Sequence, residues 1–371
     1  MRLVLDLRIY GPKYGGLGRY NQKLLEHLIS LDRENEYIIL IKTEHKIDLP
    51  ILPANFSAKI CDCHWYSLAE QWQLPKILNR LQPDLVHFPH FNIPYFYRGK
   101  FIVTIHDLIM TKFPSRRAST LNKFLFAFKR LAYDFIISRA VNKAVKIITV
   151  SQFSAADIKQ YFRLTETEAK KISVVYEGVN LPEIINTEEV KLPEKYLLYV
   201  GNAYPHKNLE FLIASFKEFH VKHPEYSLIL VGNKNHFYQQ LEKFAAATLG
   251  ENKDKVILAG FVPDKKLGNY YQQATAYIFP SNYEGFGLPP LEAMAYGLPV
   301  LSAKTSCLPE VLGSAALYFD PQSQSDLLAS LEIIISDNDL RDRLRQRGYE
   351  QIKLYSWQIM AEQILKIYNS L

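Results

Sequence analysis

Residues 276–302 read AYIFPSNYEGFGLPPLEAMAYGLPVLS, and this stretch decides the architecture. Ala276–Phe279 is a short apolar run of the kind that forms a buried strand. Gly285 and Gly287 then make a loop that allows close approach to a ligand. Pro290 suits the first turn of a helix, where its missing N–H costs nothing. Gly297 ends that helix, and Val300–Ser302 reads as the next strand. Glu284 is thus a loop carboxylate and Glu292 a carboxylate in the first helical turn. A carboxylate that accepts two hydroxyl hydrogen bonds can hold the diol of a ribose or hexose. Phe286, Gly287 and Leu288 can offer N–H groups to an anion at the helix start. The plainer roles for the same carboxylates are the helix dipole for Glu292 and a surface position for Glu284.

The same alternation runs through the whole chain. Strand candidates in the first half are Arg2–Asp6, Tyr37–Ile41, Asp84–Phe88, Phe101–Ile105, Lys146–Val150 and Ile172–Val175. The second half adds Tyr196–Val200, Ser227–Val231, Lys255–Leu258 and Ala316–Phe319. Helical periods fill most gaps, among them Arg19–Leu31, Ser154–Phe162, Asn208–His220, Phe237–Ala247 and Leu291–Tyr296. Alternating β and α elements predict an α/β fold with parallel sheets covered on both faces. Leu181–Lys195, with two prolines and mostly polar residues, reads as a linker. The expected division is a first doubly wound domain over 1–180, the linker over 181–195 and a second domain over 196–355. Residues 356–371 form an amphipathic helix with Ile359, Met360, Ile364, Leu365 and Tyr368 near one face. Ligands of such domains bind at the carboxyl ends of the strands, so a cleft between the two is expected.

Composition narrows the function. The 371 residues carry 44 basic and 38 acidic side chains, a net +6. The excess is local: residues 101–150 hold 9 Lys/Arg and 2 Asp/Glu, and the rest of the chain is close to neutral. That is too little overall to imply nucleic-acid binding. Cys61, Cys63 and Cys307 are too few for a disulfide framework, and Cys61-x-Cys63 has no second pair at zinc-ligand spacing. The apolar run at the N-terminus meets charge too early for a secretory signal, and no window reaches the roughly 18 apolar residues that span a bilayer. A cytoplasmic protein is expected, with any membrane contact peripheral and on the inner face of the cytoplasmic membrane.

Three further loops carry candidate chemistry. Gly11 to Tyr20 places Gly15, Gly16 and Gly18 between a strand and a helix, either as a close-approach loop for a phosphate or sugar or as a tight turn. Its spacing is not G-x-G-x-x-G, and no acidic residue ends the second strand, so a nicotinamide or flavin cofactor is not expected. His106-Asp107 ends strand Phe101–Ile105, where it could act on a ligand, or where the histidine could be satisfied by Asp107 or a carbonyl. Gly201-Asn202-Ala203-Tyr204-Pro205-His206-Lys207-Asn208 is a strand–loop–helix with a lysine at the helix mouth, suited to a diphosphate or simply solvated.

Taken together, these motifs resemble the glycosyltransferases of the GT-B fold, and specifically the retaining family 4. The resemblance rests on the Glu284-to-Glu292 motif, Gly15-Gly16, His106-Asp107 and Pro205-His206-Lys207-Asn208. It extends to Leu308-Pro309-Glu310-Val311, the Tyr318–Pro321 turn and the Ser356-Trp357 opening of the last helix, and so covers essentially the whole chain. It implies two Rossmann-like doubly wound parallel-sheet domains facing a cleft, with the last helix returning to the first domain. By position it implies that Glu292 binds the ribose and Glu284 the hydroxyls of the donor sugar. Lys207 would hold the diphosphate, and the amides of Gly287 and Leu288 the β-phosphate. His106 would help order the sugar, and Gly15 and Gly16 would touch the diphosphate from the opposing domain. Phe261 and Val262 would lie near the base. Asn202 and His206 stand where many relatives have an arginine, so His206 takes part, Arg19 compensates, or donor binding is weaker.

The resemblance implies transfer with retention from a nucleotide sugar, GDP-mannose first and a UDP-sugar second, to a saccharide or lipid-linked acceptor. No cofactor is implied and no metal is needed. Asp337-Asn338-Asp339 reads as a helix opening rather than a metal site. A nucleotide-sugar epimerase and a non-catalytic nucleotide-sugar-binding partner are the alternatives. The basic segment also has a reading. Arg116, Lys123 and Arg130 recur every seven residues with Phe126 and Tyr133 beside them, while Leu121, Phe124, Leu125, Phe128, Leu131 and Phe135 serve the core. That face would suit anionic headgroups, a lipid-linked phosphate or simply solvent.

Overall fold

Two sets of apolar runs become two separate sheets. In the first are β1 (Arg2–Asp6), β2 (Glu36–Ile41), β3 (Phe56–Ile60), β4 (Leu85–Phe88), β5 (Phe101–Ile105), β6 (Lys146–Thr149) and β7 (Ile172–Val174). In the second are β8 (Lys195–Val200), β9 (Tyr226–Val231), β10 (Val256–Gly260), β11 (Ala276–Phe279), β12 (Val300–Ala303) and β13 (Ala316–Phe319). The structure is a computed structural model that describes residues 1–113, 123–181 and 190–371, and for 123–126 the backbone alone.

The strand orders are β3-β2-β1-β4-β5-β6-β7 and β10-β9-β8-β11-β12-β13, with every neighbouring pair parallel. Both are doubly wound. The order reverses between β1 and β4 in one sheet and between β8 and β11 in the other, and ligands bind in such folds where the order reverses. The central strands are near-continuous apolar runs because helices cover both faces: Leu3, Val4 and Leu5 of β1 and Tyr196, Leu197 and Leu198 of β8 are fully buried. β3 was not visible in the sequence. It is an edge strand whose Phe56 alone is buried, so it shows no apolar run.

The chain divides into one unit of Met1–Thr111, Leu121–Gly178 and Ser356–Leu371 and another of Lys112–Thr120 and Val179–Tyr355. In the first, the Trp357–Asn369 helix packs on the Gly15–Leu31 helix and buries Trp357, Met360, Ala361, Ile364 and Tyr368. Ile359, expected near the apolar face, is exposed. Tyr368 reaches the sheet itself, where its hydroxyl lies 2.6 Å from His87 Nδ1 on β4.

Two helix starts differ from expectation in a way that matters. The first helix begins at Gly15, not Arg19, so Gly15 and Gly16 are its opening turn. The later helix begins at Leu288, not Leu291, so Gly287 is its N-cap. Asp337 caps the Asn338–Ile352 helix, its carboxylate accepting from Leu340 N at 2.8 Å.

Candidate active site

β8 and β11 are neighbours, and the loops leaving their carboxyl ends bring Lys207 to Glu284. Lys207 Nζ lies 2.5 Å from Glu284 Oε1, and both residues are buried. The ammonium also lies over the Phe279 ring, 5.4 Å from its centroid. The loops are tied to each other and to their surroundings. Asn282 N donates to the His206 carbonyl at 2.8 Å, and Glu284 N donates to Ser306 Oγ at 3.0 Å. Asn202 is anchored by Tyr199, whose hydroxyl donates to the Asn202 carbonyl at 2.8 Å. Nothing in the linear sequence joins Lys207 to Glu284; the parallel pairing of β8 with β11 does.

Gly287 is required by geometry. Its φ is 96°, and a Cβ there would stand 2.9 Å from Leu308 Cδ2. The helix it caps, Leu288–Ala295, has Pro289 and Pro290 in its first turn. Those two supply no N–H, which leaves the amides of Gly287 and Leu288 as donors at the positive end of the helix. Phe286 is fixed behind them: its carbonyl accepts from Cys307 Sγ at 3.2 Å, and its ring meets Tyr355 edge-on at 5.3 Å. Glu292 is half-buried one turn along the helix. Val262 is buried and Phe261 exposed in the loop after β10, with β9 standing between β10 and β8.

His206 lies next to the lysine, stacked on Tyr204. Burial first, and the Lys207 charge second, push its pKa down to about 4. The ring is therefore neutral at physiological pH and adds no second cation beside Lys207 in this arrangement.

The first unit holds a second cluster. His106 follows β5 with both ring nitrogens engaged: Nδ1 lies 2.9 Å from Glu177 Oε1 and Nε2 lies 3.1 Å from the Pro89 carbonyl. Tyr20 meets the ring edge-on at 4.8 Å. Asp107 Oδ1 accepts from Ile109 N at 2.8 Å and so caps the next turn, and its charge also favours the charged imidazole. Burial opposes the charged imidazole, but the bonds to Glu177 and Pro89 outweigh it and raise its pKa above the ordinary histidine value. Glu177 escaped the sequence reading, although it obeys the rule that singled out His106: it is a titratable residue just past the carboxyl end of a parallel strand, here β7. Gly15 and Gly16 are exposed at the start of their helix.

Nearby, Arg8 is buried between two carboxylates, with Nε 2.7 Å from Asp6 and Nη2 2.6 Å from Glu70. Its Nη1 donates to the Cys63 carbonyl at 3.0 Å, which ties the Cys61-x-Cys63 segment into this network.

The basic face expected around residues 116–133 is corrected at Tyr133. Arg116 and the side chains of Lys123 and Phe126 lie outside the described residues. Tyr133 is not a surface residue: it is buried against Phe91, and its hydroxyl lies 2.6 Å from Thr111 Oγ1. Arg130 pairs with Asp134 at 3.2 Å and donates to the Met110 carbonyl. Phe128, Leu131 and Phe135, expected in the core, are 55–58% exposed. The Lys123–Lys143 helix is rotated relative to the expectation because Tyr133, Ile137, Ala140 and Val141 make the inward face. Apolar residues lie on most sides of this helix, so composition alone could not select the buried side.

Residues 14–183 match the family described as Glycosyltransferase Family 4, and residues 182–351 match Glycosyl transferases group 1. The chain is 27% identical to O-antigen chain mannosyltransferase B of Escherichia coli, over 96% of each chain. It is 29% identical to O-antigen chain mannosyltransferase RfbU of Salmonella typhimurium, over 90% of each. Among solved structures, a sucrose-phosphate synthase from Thermosynechococcus elongatus superposes with a TM-score of 0.75 at 19% identity, covering 100% of this chain and 98% of that one. WaaG, a glycosyltransferase involved in lipopolysaccharide biosynthesis, gives 0.72 at 16% identity, covering 98% and 99%. With two doubly wound sheets and family matches that run end to end from residue 14 to residue 351, the chain belongs to the GT-B glycosyltransferases, a family 4 half followed by a group 1 half.

Proposed function

We propose that this glycosyltransferase moves mannose from GDP-mannose to a saccharide or lipid-linked acceptor, with retention of configuration and without a metal ion. The observation that carries the reading is the buried Lys207–Glu284 contact, with Glu284 three residues before the Gly287 N-cap of the Leu288–Ala295 helix. Sugar transfer is limited by departure of the nucleoside diphosphate and by positive charge at the anomeric carbon. An ammonium and two fixed amides meet the negative charge that grows on the leaving phosphate, and losing one such donor typically costs about 10²–10³ in rate. Glu284 would accept from the hydroxyls of the sugar and Glu292 from the ribose. Phe261 and Val262 would border the base, and Asn202 and His206 would act as neutral polar neighbours of the diphosphate. From the first unit, His106 and the Gly15-Gly16 turn would serve the sugar and the diphosphate.

The mannosyltransferase names of the relatives support mannose as the sugar. Metal independence is supported by the local supply of positive charge and by Asp337-Asn338-Asp339 serving as a helix start. Peripheral contact with an anionic membrane belongs to the same reading. Its residues become Phe128, Leu131 and Phe135, which stand at helical spacing beside the exposed Lys129 and Lys143. Among the described residues no helix is long and apolar enough to cross a membrane.

Thermal-shift measurements against GDP-, UDP- and ADP-sugars, followed by transfer assays in EDTA with NMR of the anomeric proton, test the proposal. GDP-mannose should stabilise the protein most, and EDTA should leave transfer intact. A preference for a UDP-sugar would overturn the mannose assignment, and an inverted product would overturn retention.

A further inference from the structure

The ring of His106 faces two acceptors. Glu177 Oε1 stands 2.9 Å from Nδ1 and the Pro89 carbonyl 3.1 Å from Nε2. A peptide carbonyl and a carboxylate both accept, while a neutral imidazole has one N–H to give. Only the imidazolium satisfies both partners at once, and in that form neither nitrogen keeps a lone pair for a substrate proton. We infer that Glu177 is a positioning residue that holds His106 as a fixed, doubly protonated cation, so that His106 serves sugar transfer through its charge and not as a proton acceptor. This rests on the reading of His106 as a residue of the transfer site.

The surroundings are built to keep that geometry. Glu177 is buried, and Gly178 next to it packs so tightly on the start of the Trp357–Asn369 helix that a Cβ would collide with the Trp357 backbone nitrogen. The last helix therefore clamps the segment that carries the carboxylate. Its other end acts on the strand side: Tyr368 bonds His87, whose Nε2 lies 2.9 Å from Thr104 Oγ1 on β5, two residues before His106. The backbone of His106 is held as well, its carbonyl accepting from Ser154 Oγ at 2.9 Å.

The charged and titratable groups around the ring are Glu177 after β7, Asp107 in its own loop, His87 on β4, His90 after β4 and Tyr20 on the first helix. The two neighbouring histidines are held neutral, each pushed down to about 3 by burial first and by the His106 charge second. The cluster thus concentrates its one imidazolium on the ring that Glu177 touches.

Nitrogen NMR of the full chain labelled at histidine tests this, with the His106 signals identified by their loss in His106→Gln. At pH 7.5 both His106 nitrogens should show protonated shifts. In Glu177→Gln the ring should lose its charge at a pH lower by about one unit or more, and the alkaline limb of kcat/KM should move with it. Glu177→Asp, which keeps a carboxylate, should restore much of the wild-type limb. A wild-type His106 with one unprotonated nitrogen at pH 7.5 would overturn the inference, even if Glu177→Gln fails to fold. So would a Glu177→Gln enzyme whose rate falls evenly at every pH with the limb unmoved, because that is the mark of a structural role. If no sugar nucleotide is turned over, the transfer reading fails by itself, and the NMR arm still decides the state of His106.

Discussion

Lys207 Nζ and Glu284 Oε1 meet at 2.5 Å, with both side chains about nine-tenths buried. The two residues proposed to hold the diphosphate and the sugar are thus each other's counter-ion. Each neutralises a charge that would be costly to bury alone.

Removing either partner should therefore do more than remove a ligand contact. Lys207→Ala or Glu284→Ala alone should cost about 3–5 kcal/mol of stability, because a buried charge is left unpaired. The double variant Lys207→Ala/Glu284→Ala should cost less than the sum of the two. Urea unfolding of all three decides; strict additivity would show that the contact carries no coupling. Glu284→Gln should slow transfer about 10²-fold or more by misplacing the sugar, yet leave GDP binding at least as tight, since Lys207 is released from its carboxylate. Calorimetry that finds weaker GDP binding would refute that account.

Gly287→Ala combines a strained φ of 96° with a contact of 2.9 Å to Leu308 Cδ2. The amides that start the Leu288–Ala295 helix should shift, so the variant should lose transfer activity by about 10²-fold with a smaller loss in melting temperature. Full activity in the folded variant would show that those amides do not meet the diphosphate.

Acid should destabilise the protein through its buried neutral histidines. His87 and His206 are lowered from 6.5 to about 3 and about 4, chiefly by burial. A depressed histidine binds its proton in the unfolded chain first. Its contribution is whole above pH 6.5 and is lost as pH falls toward the folded value. His106 has the opposite sign: its contribution is whole below 6.5 and is lost as pH rises through its raised value. Between pH 6.5 and 4.5 the wild type should lose stability, and His206→Gln should lose less. Equal losses in parallel urea titrations would show that His206 does not carry the effect.

Gly178→Ala should detach the end of the Trp357–Asn369 helix, because a Cβ has no room beside the Trp357 backbone. Overpacking of this kind costs about 1–3 kcal/mol. Faster hydrogen exchange in residues 357–369 than in wild type is the expected signature. Unchanged exchange would mean that the helix is held elsewhere.

Phe128→Ser with Leu131→Ser and Phe135→Ser should abolish co-sedimentation with anionic liposomes while leaving the fold intact, since these side chains are exposed. Lys123→Glu with Arg130→Glu should have a smaller effect. The reverse ranking would return the contact to the basic residues.

What the amino-acid order determined by itself was periodic and local. Runs such as Tyr196–Val200 and Ala276–Phe279 are strands because they are apolar over strand length, and the glycines and prolines of 285–290 set a loop and a helix start whatever surrounds them. Those signals sufficed for two doubly wound sheets and for His106, Lys207, Glu284 and Glu292 as the residues to watch. Tertiary structure decided which of them meet. Lys207 and Glu284 are joined only because β8 pairs with β11. His106 finds Glu177 only because β5 and β7 flank β6 in one sheet. The buried side of the Lys123–Lys143 helix was also beyond the sequence, for apolar residues are spread around it and its neighbours select the side. The reason is the same in each case: periodicity is a property of adjacent residues, whereas ion pairs and burial depend on chain segments brought together by the fold.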